Sequence, residues 1–561
     1  MRHFTKTLLF LNNRLLGRIT YITRAFSSNI NTMKKFSKPY SYFKKLVLPI
    51  IFIFILVILL LSVKGINGNP NDNNLNDVQW KDSGPLELSP DRGRFALTYS
   101  LAENRSTKFS LPVARFATPD LGYKDGNYVS LFAPGVSFII LPGYLIGRIF
   151  DLSQFGSFLI IAFFAFINFW LIYLISKSLG SKKYSSLIAA GIFSLATPAL
   201  AYGGSLYQHH ISTFFILCSI WILFRFKSAW SLIPIWLMIG SSVVVDNPNF
   251  FMMFPIGVFA LGRMVSFERI SSRVSVKIKP FVIFTVLTMI LPLAAFMYFN
   301  KLSYGSLFQL SGTVESVQEI DINGQPAKSS LISESNVDVS LDLQASEEKH
   351  SKSAVGFFES RNMLNGFYTQ FFSQDRGILF FSPIILLGLL GIIISYKKLN
   401  STQVLLLSVL AANMAIYAMW GDPWGGWAFG SRYLIPAYAI LAIFLSSVLT
   451  SWNRKILFIL LMYPVLIYSV GVNMVGALTS NRNPPKKEIL ALEKLSGVEE
   501  KYTVERNWDY LQKDSKAFVY RAFLNERVSP LFYFYTLAGL SVAMFTFLIV
   551  ANYFDKSKEE K

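Results

Sequence analysis

Several short polar segments of this chain carry side chains able to act as acids, bases or anion ligands. They supply these candidates: Asp91, Arg92, Asp125, Tyr128, His209, His210, Asp246, Asp375, Arg376, Trp427, Arg432 and Tyr433. A carboxylate can take a proton from an acceptor hydroxyl, and a planar guanidinium group binds phosphate oxygens in pairs. The combination predicts acid–base chemistry on a substrate that carries a phosphate.

The densest of these segments runs from Trp420 to Tyr433 and reads Trp-Gly-Asp-Pro-Trp-Gly-Gly-Trp-Ala-Phe-Gly-Ser-Arg-Tyr. Tryptophans alone would fit an aromatic belt at a membrane surface. A belt needs no glycine pair, however, and no arginine at the start of an apolar stretch. Glycine allows the backbone to approach a ligand closely, so the segment predicts a binding site around Arg432.

Each candidate also has an ordinary structural explanation. Asp91 fits a helix cap as well as a catalytic acid. His209 and His210 lack an accompanying HxxxH or HxxE spacing, which favours a solvated helix mouth over metal ligation. Asp246 precedes Asn-Pro, a helix stop, and the acid–arginine pair at 375–376 could be a surface ion pair.

The elements that must position these residues are membrane helices. The 561 residues are 52% hydrophobic, 16% aromatic and only 15% charged, whereas soluble chains are about 25% charged. The formal charge of +20 falls in short runs between apolar stretches, which is typical of positive-inside topology rather than nucleic-acid binding. A single cysteine, Cys218, excludes a disulfide framework and a cysteine-based metal site.

Stretches of about 17–20 apolar residues predict about twelve transmembrane helices in an all-α polytopic bundle. They lie near 46–63, 156–176, 184–203, 211–226, 230–246, 249–265, 280–299, 377–395, 402–420, 433–450, 455–475 and 531–551. The segment 133–150 contains Pro134 and Pro142 and is predicted to lie along the membrane surface instead.

The Lys/Arg distribution then places both termini in the cytosol and all the chemical candidates outside. The predicted organisation is a basic cytosolic arm over 1–45, a transmembrane domain over 46–475 with outer loops 64–155 and 300–376, an extracytoplasmic segment over 476–530, and a last helix with a cytosolic tail over 531–561. The polar stretch 313–353 predicts a mobile loop.

The first 45 residues hold ten Lys/Arg and no acid. We interpret them as a cytosolic arm, with initiation at Met1 or Met33; an organelle-import segment is the alternative. No cleavage site follows, so the apolar run after the arm predicts an uncleaved first span.

The order of the polar motifs resembles that of the GT-C superfamily of polytopic glycosyltransferases, over about 85–440. Within it the chain is similar to bacterial family 39-like proteins, the protein O-mannosyltransferase and aminoarabinose transferase-like enzymes. The residues that carry the resemblance are Asp91-Arg-Gly-Arg94, Asp125-Gly-Asn-Tyr128, Leu141-Pro-Gly-Tyr144, Ala196-Thr-Pro198 with Tyr202, His209, Tyr304-Gly-Ser306, Asp375-Arg-Gly377 and Trp424-Gly-Gly-Trp427 to Arg432-Tyr433.

The resemblance implies a polyprenyl-phosphate sugar donor, membrane lipids around the protein, and a glycan, lipid or protein acceptor at the outer face of a bacterial plasma membrane. It also implies that Asp91 is the catalytic base. Relatives often carry a lysine where this chain has Phe132 and Ala133, so Arg376 or Arg432 would have to hold the lipid phosphate. The sequence has no clear outward DxD pair, which would be the usual sign of a bound metal in such an enzyme. A divalent ion nevertheless remains possible as a cofactor.

Two other classes of function remain open at this point. A transporter or flippase of lipid-linked saccharide would favour internal repeats and charges within spans. A non-catalytic membrane scaffold is the other. Walker and GxGxxG motifs are missing from the sequence, which disfavours a nucleotide site. The sugar, the acceptor and the oligomeric state stay open.

Overall fold

The computed structural model describes residues 37–263, 265–270, 273–278, 284–327 and 358–555. The chain divides into two compact units, Met1–Val57 and Ile58–Lys561. Of the predicted basic arm over 1–45, only the residues at the start of the first helix are described. The larger unit contains every candidate residue named above.

Helices dominate because apolar runs can satisfy their backbone hydrogen bonds internally in a membrane. The first half of the chain contains α1 (Ser37–Ser62), α2 (Asp72–Asn76), α3 (Val78–Ser83), α4 (Ser89–Glu103), α5 (Leu111–Ala117), α6 (Gly135–Ile149), α7 (Ser153–Ser178), α8 (Lys183–Leu195), α9 (Ala199–Tyr202), α10 (His209–Arg225), α11 (Leu232–Val245) and α12 (Asn249–Gly262).

The second half continues with helices of similar composition and with two amphipathic helices near the end. They are α13 (Ile290–Tyr304), α14 (Met363–Phe372), α15 (Ile378–Phe381), α16 (Leu387–Ser395), α17 (Ser401–Ala418), α18 (Ile435–Ser451), α19 (Ile456–Leu478), α20 (Lys486–Ser496), α21 (Val504–Leu511) and α22 (Pro530–Phe554).

Six described helices are long and apolar enough to cross a membrane by length and composition, which supports an integral membrane protein. They are 153–178, 284–304, 401–418, 432–451, 456–478 and 530–554. Shorter apolar helices cover 46–62, 135–149, 209–225, 229–245 and 249–262. The total of about twelve spans therefore stays a prediction.

Two predicted spans are interrupted. The stretch 184–203 divides between α8 and α9 at Pro198, and 377–395 divides between α15 and α16 around a 3-10 segment, Pro383–Leu386. Proline lacks the N–H that continues a helix and disfavours helical backbone in the residue before it. Hydropathy alone could not predict these breaks.

Helix α18 is the most enclosed of the long helices. Gly388 and Gly391 of α16 lie against the carbonyl groups of Leu441 and Phe444, so the two helices approach closely, as small residues permit. On another side the Ser446 hydroxyl lies 2.7 Å from the Ser181 hydroxyl. Such packing holds α18 along residues 441–446, and Arg432 precedes its amino-terminal end.

Helix α6 occupies the segment predicted to lie along the membrane surface. Its Gly143 and Gly147 pack against Gly156 and Leu152, so that α6 and α7 form a close antiparallel hairpin. Its outward residues Ile146 and Ile149 are exposed. Fifteen residues rise about 22 Å, which is less than the thickness of the hydrocarbon core. The orientation of α6 in the bilayer stays a prediction.

The loops between the helices also contain strands, which the sequence analysis did not predict. Strands β1 (Lys108–Phe109), β2 (Leu121–Lys124) and β3 (Asn127–Ser130) belong to the first loop, and a separate hairpin joins β4 (Val265–Ile270) and β5 (Arg273–Ile278). In the second loop, β6 (Glu315–Val317) pairs antiparallel with β2. The four-stranded sheet has the order β1-β3-β2-β6.

Strand β6 corrects part of the loop prediction. Residues 315–317, within the stretch predicted to be mobile, are fixed by the register Leu121↔Val317 and Gly122↔Ser316. Backbone hydrogen bonds to a preformed hairpin stabilise a short strand without any apolar periodicity of its own. Residues 328–353 of the predicted mobile loop lie outside the described residues.

Candidate active site

Asp91 lies in the first turn of α4, directly after Pro90, and is only 4% exposed. Its Oδ1 accepts a 2.7 Å hydrogen bond from the backbone N–H of Leu206. Burial raises the pKa of Asp91 to about 6, against the opposing effects of Lys64, Arg94 and the Leu206 N–H, while Glu87 adds to the rise. A carboxyl group with a pKa close to neutrality is well suited to act as a base.

Arg94 follows one turn later on the same face of α4 and holds the same segment. Its Nη1 donates to the carbonyl of Leu206 at 3.1 Å, and its Nη2 donates to Oε1 of Gln208 at 2.7 Å. Gln208 in turn donates through Nε2 to Oδ2 of Asp246 at 3.1 Å. Helix α4 and Asp246 are therefore linked through residues 206–208, which lead directly into α10 at His209.

Arg432 contacts the same segment through Tyr207. Its guanidinium carbon lies 4.5 Å from the ring centre of Tyr207 and 5.4 Å from that of Tyr433. The Arg94 guanidinium carbon lies 5.2 Å from the same Tyr207 ring. Tyr207 therefore contacts two arginines, one from each half of the chain.

Aromatic rings extend this cluster. The rings of Tyr207 and His209 stack at 5.8 Å, and Tyr433 contacts the His209 ring at 5.9 Å and stacks on Tyr417 at 4.4 Å. Such contacts orient flat side chains and exclude water without using their polar atoms.

Polar atoms inside this cluster lack partners. Nε and Nη1 of Arg432, the hydroxyl of Tyr207 and Nε2 of His209 are buried and make no hydrogen bond. Buried polar groups are nearly always paired, and donors left free together indicate a ligand site. The arrangement suits an anion with several oxygen acceptors.

Gly425 leaves room for the arginine. Its φ is +73°, and a Cβ atom there would lie 3.2 Å from both Nε of Arg432 and the Tyr433 ring. A larger residue would meet backbone strain and a tight contact together. Gly425 is therefore a glycine of this segment that allows the side chains of Arg432 and Tyr433 to approach the backbone closely.

Asp375 and Arg376 lie elsewhere and have structural partners. Arg376 is 0% exposed and donates to the carbonyl oxygens of Trp424, Asp375, Gly426 and Asn483 at 2.7–2.9 Å. Asp375 accepts from the Lys486 N–H at 3.2 Å. The pair ties the glycine-rich segment to residues 483–486.

Trp427 belongs to the outer edge of this structural region. Its Nε1 donates to Glu488 of α20, and the guanidinium carbons of Arg482 and Arg506 lie 5.5 and 5.6 Å from its ring. Trp427 therefore connects the segment 420–433 to the predicted extracytoplasmic segment over 476–530.

Two further candidates lie near the site but use their polar groups for structure. Arg92 donates to the carbonyl oxygens of Glu87 and Thr118 at 2.7 and 2.9 Å. Nε2 of His210 lies 2.7 Å from the Ala199 carbonyl, and Asn168 donates to the His210 carbonyl. Both side chains fix loop and helix positions around the cluster.

Asp125 and Tyr128 lie in the hairpin of β2 and β3. The side chain of Asp125 is 74% exposed in the turn, and the Tyr128 hydroxyl donates to the Gly324 carbonyl at 3.0 Å. The contacts of these two residues are with the sheet and the second outer loop rather than with the Tyr207 cluster.

Sequence reasoning missed Arg94, Tyr207, Gln208 and Tyr417. Arg94 had a usable signal, because residues three apart on a helix share a face with Asp91. Gln208 stood out only as part of the polar run 208–210, and Tyr207 and Tyr417 gave no signal, since tyrosine at span ends is common. Among the described residues, no group of three or more His, Cys, Asp and Glu side chains is placed to hold a metal ion.

Comparisons with known proteins give only distant structural similarity. No protein-family model and no curated protein matches the sequence. The archaeal oligosaccharyltransferase AglB from Archaeoglobus fulgidus, solved with an inhibitory peptide and a dolichol-phosphate, aligns with 90% of this chain at 14% identity and a TM-score of 0.41. ArnT from Cupriavidus metallidurans, solved with undecaprenyl phosphate, aligns with 91% at 12% identity and a TM-score of 0.40.

The alignments cover 56% of AglB and 78% of ArnT, so the chain spans little more than half of the archaeal protein. At these TM-scores the similarity assigns neither a family nor an activity. A functional interpretation therefore depends on the geometry of the site.

Proposed function

We propose that this protein is a membrane glycosyltransferase that moves a sugar from a polyprenyl-phosphate donor to an acceptor hydroxyl. The observation that carries the proposal is the shared attachment of Asp91 and the Arg432 cluster to residues 206–209: a buried carboxylate beside one end, and unpaired cationic and phenolic donors around the other. The motif order shared with GT-C enzymes points the same way.

Asp91 is the proposed base. Its Oδ1 is engaged by Leu206, which leaves Oδ2 to take the proton of the acceptor hydroxyl. The acceptor oxygen then forms a bond to the anomeric carbon of the sugar. The bond between that carbon and the phosphate oxygen breaks, and its electron pair leaves with the polyprenyl phosphate.

Arg432 is the proposed phosphate ligand. The departing phosphate gains negative charge in the transition state, and preorganised donors stabilise such charge most strongly where water is excluded. Nε and Nη1 of Arg432 and the Tyr207 hydroxyl are free for this role, whereas every guanidinium nitrogen of Arg376 donates to a carbonyl oxygen. Of the two arginines considered for the phosphate, Arg432 is therefore the better candidate.

The proposed reaction takes place at the outer face of a membrane, with a glycan, lipid or protein as acceptor. Asp246, His209 and Tyr433 would line the sugar side of the site. Reporter fusions after Lys397/Lys398 and at the carboxyl terminus test the orientation; cytosolic signals at both places are expected, and an outside signal at 397–398 would contradict it.

The deciding experiment compares Asp91→Asn with Asp125→Asn, a substitution of an exposed acid. Purified protein in lipid nanodiscs receives undecaprenyl phosphate carrying radiolabelled mannose or aminoarabinose, and release of undecaprenyl phosphate is measured. Loss of a base typically costs on the order of 10²–10⁴ in rate. We expect that loss for Asp91→Asn only.

Three results would count against the proposal. Turnover near the wild-type rate in Asp91→Asn would remove Asp91 from the mechanism. Movement of intact donor between leaflets without cleavage would indicate a flippase. No turnover with any donor in well-folded wild-type protein would favour a scaffold.

A further inference from the structure

Three charged side chains form a buried cluster next to α4. Lys64 Nζ lies 3.5 Å from Oε2 of Glu87, and Lys516 Nζ contacts Oε1 of the same carboxylate. Their side chains are 3%, 4% and 6% exposed for Lys64, Glu87 and Lys516. The cluster joins the end of α1, the entrance to α4 and the segment before the last helix.

Backbone contacts hold the cluster in place. Lys64 forms an isolated β-bridge with Ala517, and the Phe518 N–H donates to the Val63 carbonyl at 2.8 Å. The Asn481 N–H donates to Oε2 of Glu87 at 3.2 Å. The two lysines cannot therefore move out to solvent without disrupting the chain on both sides.

With both lysines and Glu87 ionised, the cluster carries a net charge of +1. Glu87 is ionised, because the attraction of Lys64 and Lys516 outweighs burial and sets its pKa below the usual value. One lysine would neutralise it. A second buried cation is costly unless another anion lies close, and Asp91 stands four residues after Glu87.

Several charged and polar groups act on Asp91. Lys64 is the strongest of the charged groups that favour its ionised form, followed by Arg94 and the Leu206 N–H; burial and Glu87 oppose ionisation. The tyrosines near Asp91 are Tyr202 and Tyr207. With ionised Asp91 included, the charges of Lys64, Glu87, Lys516 and Asp91 sum to zero.

We infer that Lys64 is a positioning residue for transfer: the surplus positive charge of the Lys64–Glu87–Lys516 cluster stabilises the ionised Asp91 carboxylate, and residues 478–518 hold that charge beside it. The catalytic consequence rests on the proposed function. The electrostatic consequence does not, because it concerns the ionisation of Asp91 alone.

Two substitutions in the cluster are expected to shift the apparent pKa of Asp91 in opposite directions. Lys64→Met removes a cation, so we expect the apparent pKa of Asp91 to rise by about one unit, with about tenfold less ionised Asp91 at pH values below the midpoint. Glu87→Gln removes an anion and lowers it. Lys64→Arg keeps the charge and restores the wild-type midpoint. General destabilisation would not produce shifts of opposite direction.

Each variant is measured in two ways as full-length protein in nanodiscs. Infrared difference spectra follow the protonated carboxyl band that Asp91→Asn removes, and the acid limb of donor cleavage is followed in parallel. Opposite shifts in the titration midpoint of the infrared band, without any donor cleavage by the wild type, would support the electrostatic effect of Lys64 on Asp91 and reject the proposed function. Cleavage that depends on Asp91 with unshifted midpoints in Lys64→Met and Glu87→Gln would overturn the inference alone. If Lys64→Met does not fold, an unshifted midpoint in Glu87→Gln has the same force.

Discussion

Two buried arginines of this chain, Arg376 and Arg432, contact the same glycine-rich segment in different ways. Arg376 is surrounded by carbonyl groups, four of which accept its N–H groups. Arg432 is surrounded by aromatic rings, with Nε and Nη1 unpaired. The first is a finished structural connection, and the second retains capacity for a ligand.

The difference shows that burial of a charged residue is not by itself a sign of function. What matters is whether its hydrogen-bonding groups are used. A guanidinium group whose nitrogens all donate to carbonyl oxygens stabilises the fold. One with unpaired nitrogens is stabilised by the surrounding aromatic rings and can still bind an anion. The substitutions below separate these two roles.

The largest effect is expected from Arg376→Met. It leaves the carbonyl oxygens of Trp424 and Gly426 without a partner in a buried region and removes one of the two hydrogen bonds to the Asn483 carbonyl, so we expect a loss of about 3–5 kcal/mol in the free energy of unfolding. Thermal unfolding monitored by size-exclusion chromatography measures it. Arg361→Met, at an exposed arginine, serves as the control; equal stability of the two variants would contradict the structural role.

Arg432→Met is expected to show the reverse pattern. Donor turnover, as kcat/KM, falls by on the order of 10²–10³ because the phosphate loses its preorganised donors. The unfolding temperature is unchanged or raised, since two unpaired nitrogens leave the interior. Arg432→Lys keeps the charge without the planar fork and recovers only part of the activity. If Arg432→Met lost stability and activity together, Arg432 would have a structural role like that of Arg376.

The pH dependence of activity and of stability shows whether Asp91 serves the reaction or the fold. Activity should rise with pH through about 6, about tenfold per unit below that value, and the limb should vanish in Asp91→Asn. The pKa is raised above the unfolded value of 3.8. The stability it contributes is therefore present below about pH 3.8 and lost as pH rises towards 6. At pH 7, Asp91→Asn should unfold no earlier than the wild type, and clearly earlier unfolding would show that the ionised carboxylate is stabilising.

The smallest effect is expected at the hairpin. Asp125 is largely exposed and has a φ of +48°, which asparagine tolerates well. Asp125→Asn should change stability by less than about 0.5 kcal/mol and donor turnover by less than about twofold. A tenfold loss of turnover would bring the sheet into the site.

The sequence allowed the helical class and part of the site to be predicted, for a physical reason. Acids and arginines are expensive next to lipid, so Asp91, Asp246 and Arg432 were conspicuous in an apolar chain. The same rule marked Asp375 and Arg376, because cost says nothing about which partners a buried charge will meet.

The remaining parts depend on contacts distant along the chain. Tyr207 is recognisable as a site residue only from its contacts with Arg94 and Arg432, which are far from each other in the sequence. Strand β6 exists because β2 offers an edge, not because its own three residues prefer strands. No local pattern contains such information.

The pairing of Glu87 with Lys516 has a consequence for biosynthesis. These residues are 429 positions apart (516 minus 87), so the ion pair can form only after a long stretch of chain beyond Glu87 has been synthesised. If Lys516 completes the surroundings of the base, a nascent or prematurely terminated chain already holds Asp91, the arginines and the tyrosines but lacks the final counter-charge. In such a chain the positive charge near Asp91 would be smaller, so less of the base would be ionised at a given pH.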